Sequence, residues 1–142
     1  MARPQTELHF FSSAMGPPAS SSSSPTFHTC PILSNPSSVS LNVTFVGVGI
    51  KADKAKLFAD YGVACGNVVE LGNRASIVYG KAEYEKYGLV DLASMIAGIR
   101  VEKPQHVRVG DWSVGMLDEE QIRYATVDAY ASFAVGKVLM GL

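Results

Sequence analysis

A chain of 142 residues has room for one ordinary domain, and a net charge of −1 from 12 basic and 13 acidic side chains excludes nucleic-acid recognition by bulk charge. Contact with nucleic acid would have to come from local patches or bound cations. No run of about 18 apolar residues is present to form a membrane-spanning helix, and three histidines with two distant cysteines, Cys30 and Cys65, indicate free thiols rather than a disulfide or zinc site.

Residues 1–50 carry only two charged side chains, Arg3 and Glu7, and six of the seven prolines precede residue 40 together with the Ser20–Ser24 run. Without apolar periodicity to offset chain entropy, residues 1–40 are expected to be disordered. Their Ser-rich, acid-poor composition has the flavour of an organelle transit peptide, with Arg3 alone for positive charge; a non-functional N-terminus is the equal alternative. Val43 to Ile50 is rich in β-branched residues and predicts a buried strand, along which Gly47 and Gly49 alternate and leave one face bare. Asp53 is placed as the N-cap of a helix over Lys54 to Tyr61, with Gly62 as its left-handed stop. Asn67 to Leu71 predicts a short strand closed by Gly72 and Asn73.

Leu89 to Ala97 predicts an amphipathic helix with Leu89, Leu92, Ala93 and Ile96 on one stripe and Gly98 beyond it. A loop from Arg100 to Met116 carries Lys103, His106, Arg108 and the single tryptophan, Trp112. The last helix opens on Asp118 to Gln121 with capping-box spacing, and an apolar stripe of Ile122, Ala125, Ala129, Phe133 and Gly136 follows. Strand, helix, strand, helix, helix is an α/β order, with no internal repeat.

Three residues stand out for chemistry. Tyr124 and Asp128 are four apart on the final helix and share a face beside the apolar stripe. Asp53 stands beyond the C-terminal end of a buried strand, where α/β folds commonly place their sites. Two such carboxylates could share a divalent cation, and phosphodiester hydrolysis is well served by a metal centre. The residues alone leave the plainer readings open: Asp53 as a cap, Asp128 as a solvated helix residue. Lys103, His106 and Arg108 are candidate phosphate contacts or members of a solvated loop. Trp112 is a candidate base-stacking platform or, more in keeping with its type, a cover for the core.

Phe45 to Leu57 (FVGVGIKADKAKL) resembles the second exonuclease motif of the Werner-syndrome-type 3′→5′ exonucleases, ribonuclease H-like enzymes of the DEDDy class. Tyr124 to Tyr130 (YATVDAY) resembles their third motif, and Tyr87 to Ala93, Val101 to Pro104 and Asp111 to Ser113 are similar to the connecting segments of the plant branch. The resemblance covers residues 43–142 as a partial exonuclease domain. It implies an α/β ribonuclease H-like fold, a mixed sheet flanked by helices, here truncated and without its opening strands. It also implies a two-metal site for Mg²⁺ or Mn²⁺, with Asp53 supporting the metals, Asp128 as a direct ligand and Tyr124 orienting the attacking water.

The family's opening Asp-x-Glu is absent before Val43, where Glu7 is the only acid. Hydrolysis from the 3′ end is therefore expected to be impaired. The alternatives are an inactive paralogue that binds DNA or RNA, or a partner such as itself or a full-length paralogue, and a truncated gene product without a stable fold. A nuclear or cytoplasmic location follows from the resemblance only.

Overall fold

The computed structural model describes residues 7–10, 43–62, 64–112 and 116–142. Three parallel strands form one sheet in the order β1-β2-β3: β1 Glu7–Phe10, β2 Val43–Gly47 and β3 Asn67–Glu70. Helix α1 (Ile50–Tyr61) links β2 to β3, and α2 (Leu71–Tyr79) follows directly. A 3₁₀ turn (Ala82–Lys86) leads to α3 (Leu89–Leu92), which runs on into a π-helical turn (Ala93–Ala97). The short α4 (Gln105–Arg108) and the long α5 (Glu119–Met140) complete the chain. Among the described residues no helix is long and apolar enough to cross a membrane.

β2 is the centre of the molecule. All five of its residues are buried, because parallel strands covered on both faces need apolar side chains in both directions. Phe45 and Val43 join Ile50 and Leu57 of α1 and Cys65 in one cluster. Val46 points the other way, into the larger core built from Leu71 and Ala75 of α2, Leu92, Ala93, Val101 and the Ala131, Val135 and Leu139 face of α5.

The helix α5 begins as its sequence predicts. Asp118 accepts from the Gln121 backbone N–H at 2.8 Å, and the Gln121 side chain accepts from the Asp118 N–H at 3.0 Å, so two otherwise orphaned donors are satisfied reciprocally. Its buried face differs from the predicted stripe. Ala131, Ser132, Val135, Gly136 and Leu139 face inward, whereas Ile122 and Phe133 are 54% and 37% exposed. Close approach decided the matter. A Cβ at Gly136 would stand 3.0 Å from Val46 Cγ2, so the small residues face the sheet and the bulkier ones are turned out.

Other expectations are corrected as well. β2 ends at Gly47, and Gly49, with φ of 73°, is the residue before α1; the helix therefore starts at Ile50, and Asp53 lies in its first turn rather than capping it. Gly62 is left-handed at the helix end, as expected. Gly72 and Asn73 do not close β3 but belong to α2, where a Cβ at Gly72 would meet the Tyr84 carbonyl oxygen at 3.0 Å. The Gly72-Asn73 pair is a local turn signal and hides the helix that runs through it. The expected loop after Arg100 contains α4, and the sheet is parallel throughout the described residues rather than mixed. β1 falls in the segment read as disordered and pairs with the free edge of β2. The rest of that segment, with Cys30 and the Ser20–Ser24 run, lies outside the described residues.

Cys65 is a free thiol, buried, and desolvation pushes its pKa up while Lys54 pulls the other way. A raised thiol pKa means that the folded state keeps its proton longer than the unfolded one. That contribution to stability is present at neutral pH and is lost as pH climbs past the ordinary thiol range near ~8.5. Cys65 is accordingly expected to react with a thiol reagent at pH 7 far more slowly in the folded chain than in denaturant, which a colorimetric time course measures. Gly136→Ala is expected to cost about 1–3 kcal/mol through overpacking. In a double-mutant cycle with Val46→Ala the two losses should be less than additive by denaturant unfolding, because the smaller side chain makes room for the added methyl.

Candidate active site

The C-terminal ends of β2 and β3 lie side by side, with Gly47 in register with Glu70. From there the Glu70 carboxylate reaches across to the start of α1, where Oε1 accepts from the Gly49 N–H at 2.9 Å and Oε2 from the Ile50 N–H at 3.1 Å. These are amides that a helix start leaves without backbone partners, and a carboxylate suits the positive end of the helix. Glu70 thus fixes the turn that carries Asp53, which is half-buried. The sequence reading missed this residue because its role is a contact across two strands, invisible to local spacing.

On α5, Tyr124 and Asp128 are one turn apart and both half-buried. They continue the inward face that includes Gln121 and Ala131, so they belong to it rather than standing beside it. Asp128 is met by Lys103, whose Nζ lies 3.0 Å from Oδ1 and 3.1 Å from Oδ2, with a hydrogen bond to Oδ2. The two side chains are 24% and 16% exposed, so the pair is largely out of water. Oδ1 is buried and accepts no hydrogen bond. The same ammonium lies 5.4 Å from the centre of the Tyr124 ring, within cation–π range. Trp112 closes the cluster, its ring 5.7 Å from that of Tyr124 and its Nε1 donating to the Val107 carbonyl at 3.1 Å.

The other predicted phosphate contacts part company with Lys103. His106 on α4 lies 2.9 Å from Glu120 Oε2, both side chains about two-thirds exposed, an arrangement that contributes little in water. The hollow beside it is lined by Asp111, Asp118 and Glu120, acids that oppose a phosphate. Arg108 is exposed on the same short helix.

A buried carboxylate oxygen without a hydrogen bond, as at Asp128, is well suited to a cation. The wider donor set is not. Among the described residues no three His, Cys, Asp or Glu side chains converge on one point. Glu7 pairs in register with Val43, four residues before Gly47 and so roughly 13 Å from the sheet edge where Asp53 follows. The place beside Asp128 is taken by the Lys103 ammonium. The described residues therefore do not fit a two-metal centre.

Comparison with known proteins bears on the same region. A family model described as 3′-5′ exonuclease matches residues 32–140. A 3′-5′ exonuclease of Arabidopsis thaliana is 39% identical over 97 residues, which cover 68% of this chain and 33% of the relative. The bifunctional 3′-5′ exonuclease/ATP-dependent helicase WRN of Mus musculus is 34% identical over 96 residues, 68% of this chain and 7% of that protein. The structure of Brucella melitensis NrnC superposes with a TM-score of 0.61 at 19% identity, over 72% of this chain and 48% of that one, a likeness of fold. The chain thus spans about a third of the length of its Arabidopsis relative and about half of the solved chain.

Replacing Glu70 with Ala strips the first amides of α1 of their acceptor. The expected cost is about 1–2 kcal/mol, in the range of a lost helix cap. Hydrogen exchange at the Gly49 and Ile50 amides should accelerate well beyond that of the α5 amides; equal acceleration in both places would mean that Glu70 supports the fold generally and not this turn.

Proposed function

The chain belongs to the 3′-5′ exonuclease family, with Werner-type relatives among its matches, and from that premise we propose that it engages the 3′ ends of nucleic acid strands while cleaving them poorly or not at all as this polypeptide. The observation that carries the reading is the pairing of Asp128 with Lys103. Hydrolysis of a phosphodiester by two metals needs cations that hold both the attacking and the leaving oxygen. Asp53 and Asp128 are too few donors for that, and one of them already has a cation.

Binding draws on what remains. Tyr124 and Trp112 form an aromatic pair on which a base can stack, a contact that every base can make and that gives little sequence preference. Arg108, exposed on the adjoining α4, adds a backbone phosphate contact. In the family's cutting arrangement Asp128 would ligate Mg²⁺ or Mn²⁺, Asp53 would support it and Tyr124 would orient the water; these are the roles whose impairment the reading asserts. Neither the aromatic pair nor Arg108 reads the sugar, so DNA and RNA strands are both candidates.

A strand-degradation assay tests this directly, with the purified chain, Mg²⁺ or Mn²⁺ and a labelled single strand. The expected result is no shortening above that of an Asp128→Ala control, together with quenching of Trp112 fluorescence on strand addition. The quench should weaken several-fold in Tyr124→Ala, about 1–3 kcal/mol for a lost stacking partner. Metal-dependent shortening that Asp128→Ala abolishes would overturn the claim of impairment, and an unchanged Trp112 signal would overturn the claim of binding.

A further inference from the structure

Lys103 is delivered to Asp128 by a firmly placed segment. Val101, two residues earlier, is buried in the main core, and Pro104, one residue later, opens α4 with its backbone held by the Val107 and Arg108 amides. The ammonium meets both oxygens of the carboxylate at 3.0 and 3.1 Å and leans over the Tyr124 ring at 5.4 Å. Two separate contacts, the ion pair and the cation–π approach, therefore agree on one position for the charge. Around it the site is largely closed to water, so a second cation at the same carboxylate would face the lysine charge with little solvent to screen it.

We propose that Lys103 is the resident counter-cation of Asp128, and that a divalent ion reaches this carboxylate only by displacing the lysine. The charge that the family's chemistry takes from a metal ion is, in this chain, covalently attached and permanently supplied. Lys103 is on this view a positioning residue: it holds the Asp128 carboxylate oriented and excludes competitors, without touching a strand. Of the two openings the sequence left for Lys103, a phosphate contact or a solvated loop, neither is kept on this view, since an ammonium held at the carboxylate is not free for a phosphate. Loss of the amine would leave a buried carboxylate without a partner, a state that a protein relieves by protonation, by local opening or by taking up another cation. The third route is the one that an added metal opens.

This inference rests on the reading of Tyr124 and Asp128 as the site, and its test contains no nucleic acid, so its failure and that of the proposed function are separate results. Mn²⁺ is titrated into the full chain and its Lys103→Met, Lys103→Arg and Lys103→Met/Asp128→Asn variants, followed by the electron paramagnetic resonance of free Mn²⁺ and by melting temperature. Lys103→Met is expected to melt below the parent in chelator, to recover on adding Mn²⁺, and to bind the ion at least tenfold more tightly than the parent. Lys103→Arg, which keeps the charge, and the double variant, which loses the carboxylate, should show no such gain. If Lys103→Met is unfolded without metal, recovery of its circular dichroism by Mn²⁺ is the same supporting result. Lys103→Gln, neutral but able to donate to the carboxylate, supplies the second arm. Equal Mn²⁺ affinity in the parent and in folded Lys103→Met or Lys103→Gln would overturn the proposal.

Discussion

The close approach of α5 to β2, made where Gly136 lies against Val46, sets the geometry on which the remaining elements depend. A long helix can lie on a sheet only as near as its thickest inward residue allows. Here that face is built from Ala131, Ser132, Val135 and Gly136, and the helix sits low over the central strand. Lowering α5 also sets how deep Tyr124 and Asp128, about three and two turns upstream of Gly136, come to lie against Lys103 and its segment. The small residues and the functional ones are therefore parts of one requirement, since the first decide how far the second reach.

At the other side of the sheet edge, placement is electrostatic rather than steric. Glu70 ends β3 and takes the first amides of α1 on its two oxygens, so the turn bearing Asp53 is tied to the strand beside it. Asp53 and Asp128 are thus set by two different devices, a carboxylate clamp for one and helix packing for the other. Lys103 brings a third, since the charge balance at Asp128 is settled by a segment that belongs to neither strand nor long helix.

Much of this was open to reading in the residues. The β-branched run of β2, the left-handed Gly62 and the reciprocal cap at Asp118 and Gln121 are local signals, and each element stands where its signal lies. So were Tyr124 and Asp128 as a pair, because helical spacing puts residues four apart on one face. What could not be read was everything decided by distant neighbours. The α5 stripe was read correctly at Gly136 but misjudged elsewhere, because hydrophobicity ranks Ile122 and Phe133 above Ala131 and Ser132, whereas the sheet selects for thinness. α2 was missed because Gly72 has the look of a turn residue until Tyr84 is seen pressed against it. Lys103 read as a solvent-facing base in a loop, since nothing in its own surroundings along the chain announces an aspartate 25 residues away.

β1 has a consequence for the order in which the molecule assembles. The β2–α1–β3 unit is made from neighbours along the chain, so its contacts close early and at small entropic expense. β1 meets β2 with Glu7 opposite Val43, a longer closure than that of β3, which sets Asn67 opposite Thr44, and each of the two outer strands pairs over four residues. The longer closure makes β1 the later of the two to join, by the slow logarithmic growth of loop entropy with length. Opening at β1 would bare one side of β2 and part of the inward face of α5 together, because the long helix lies across both strands.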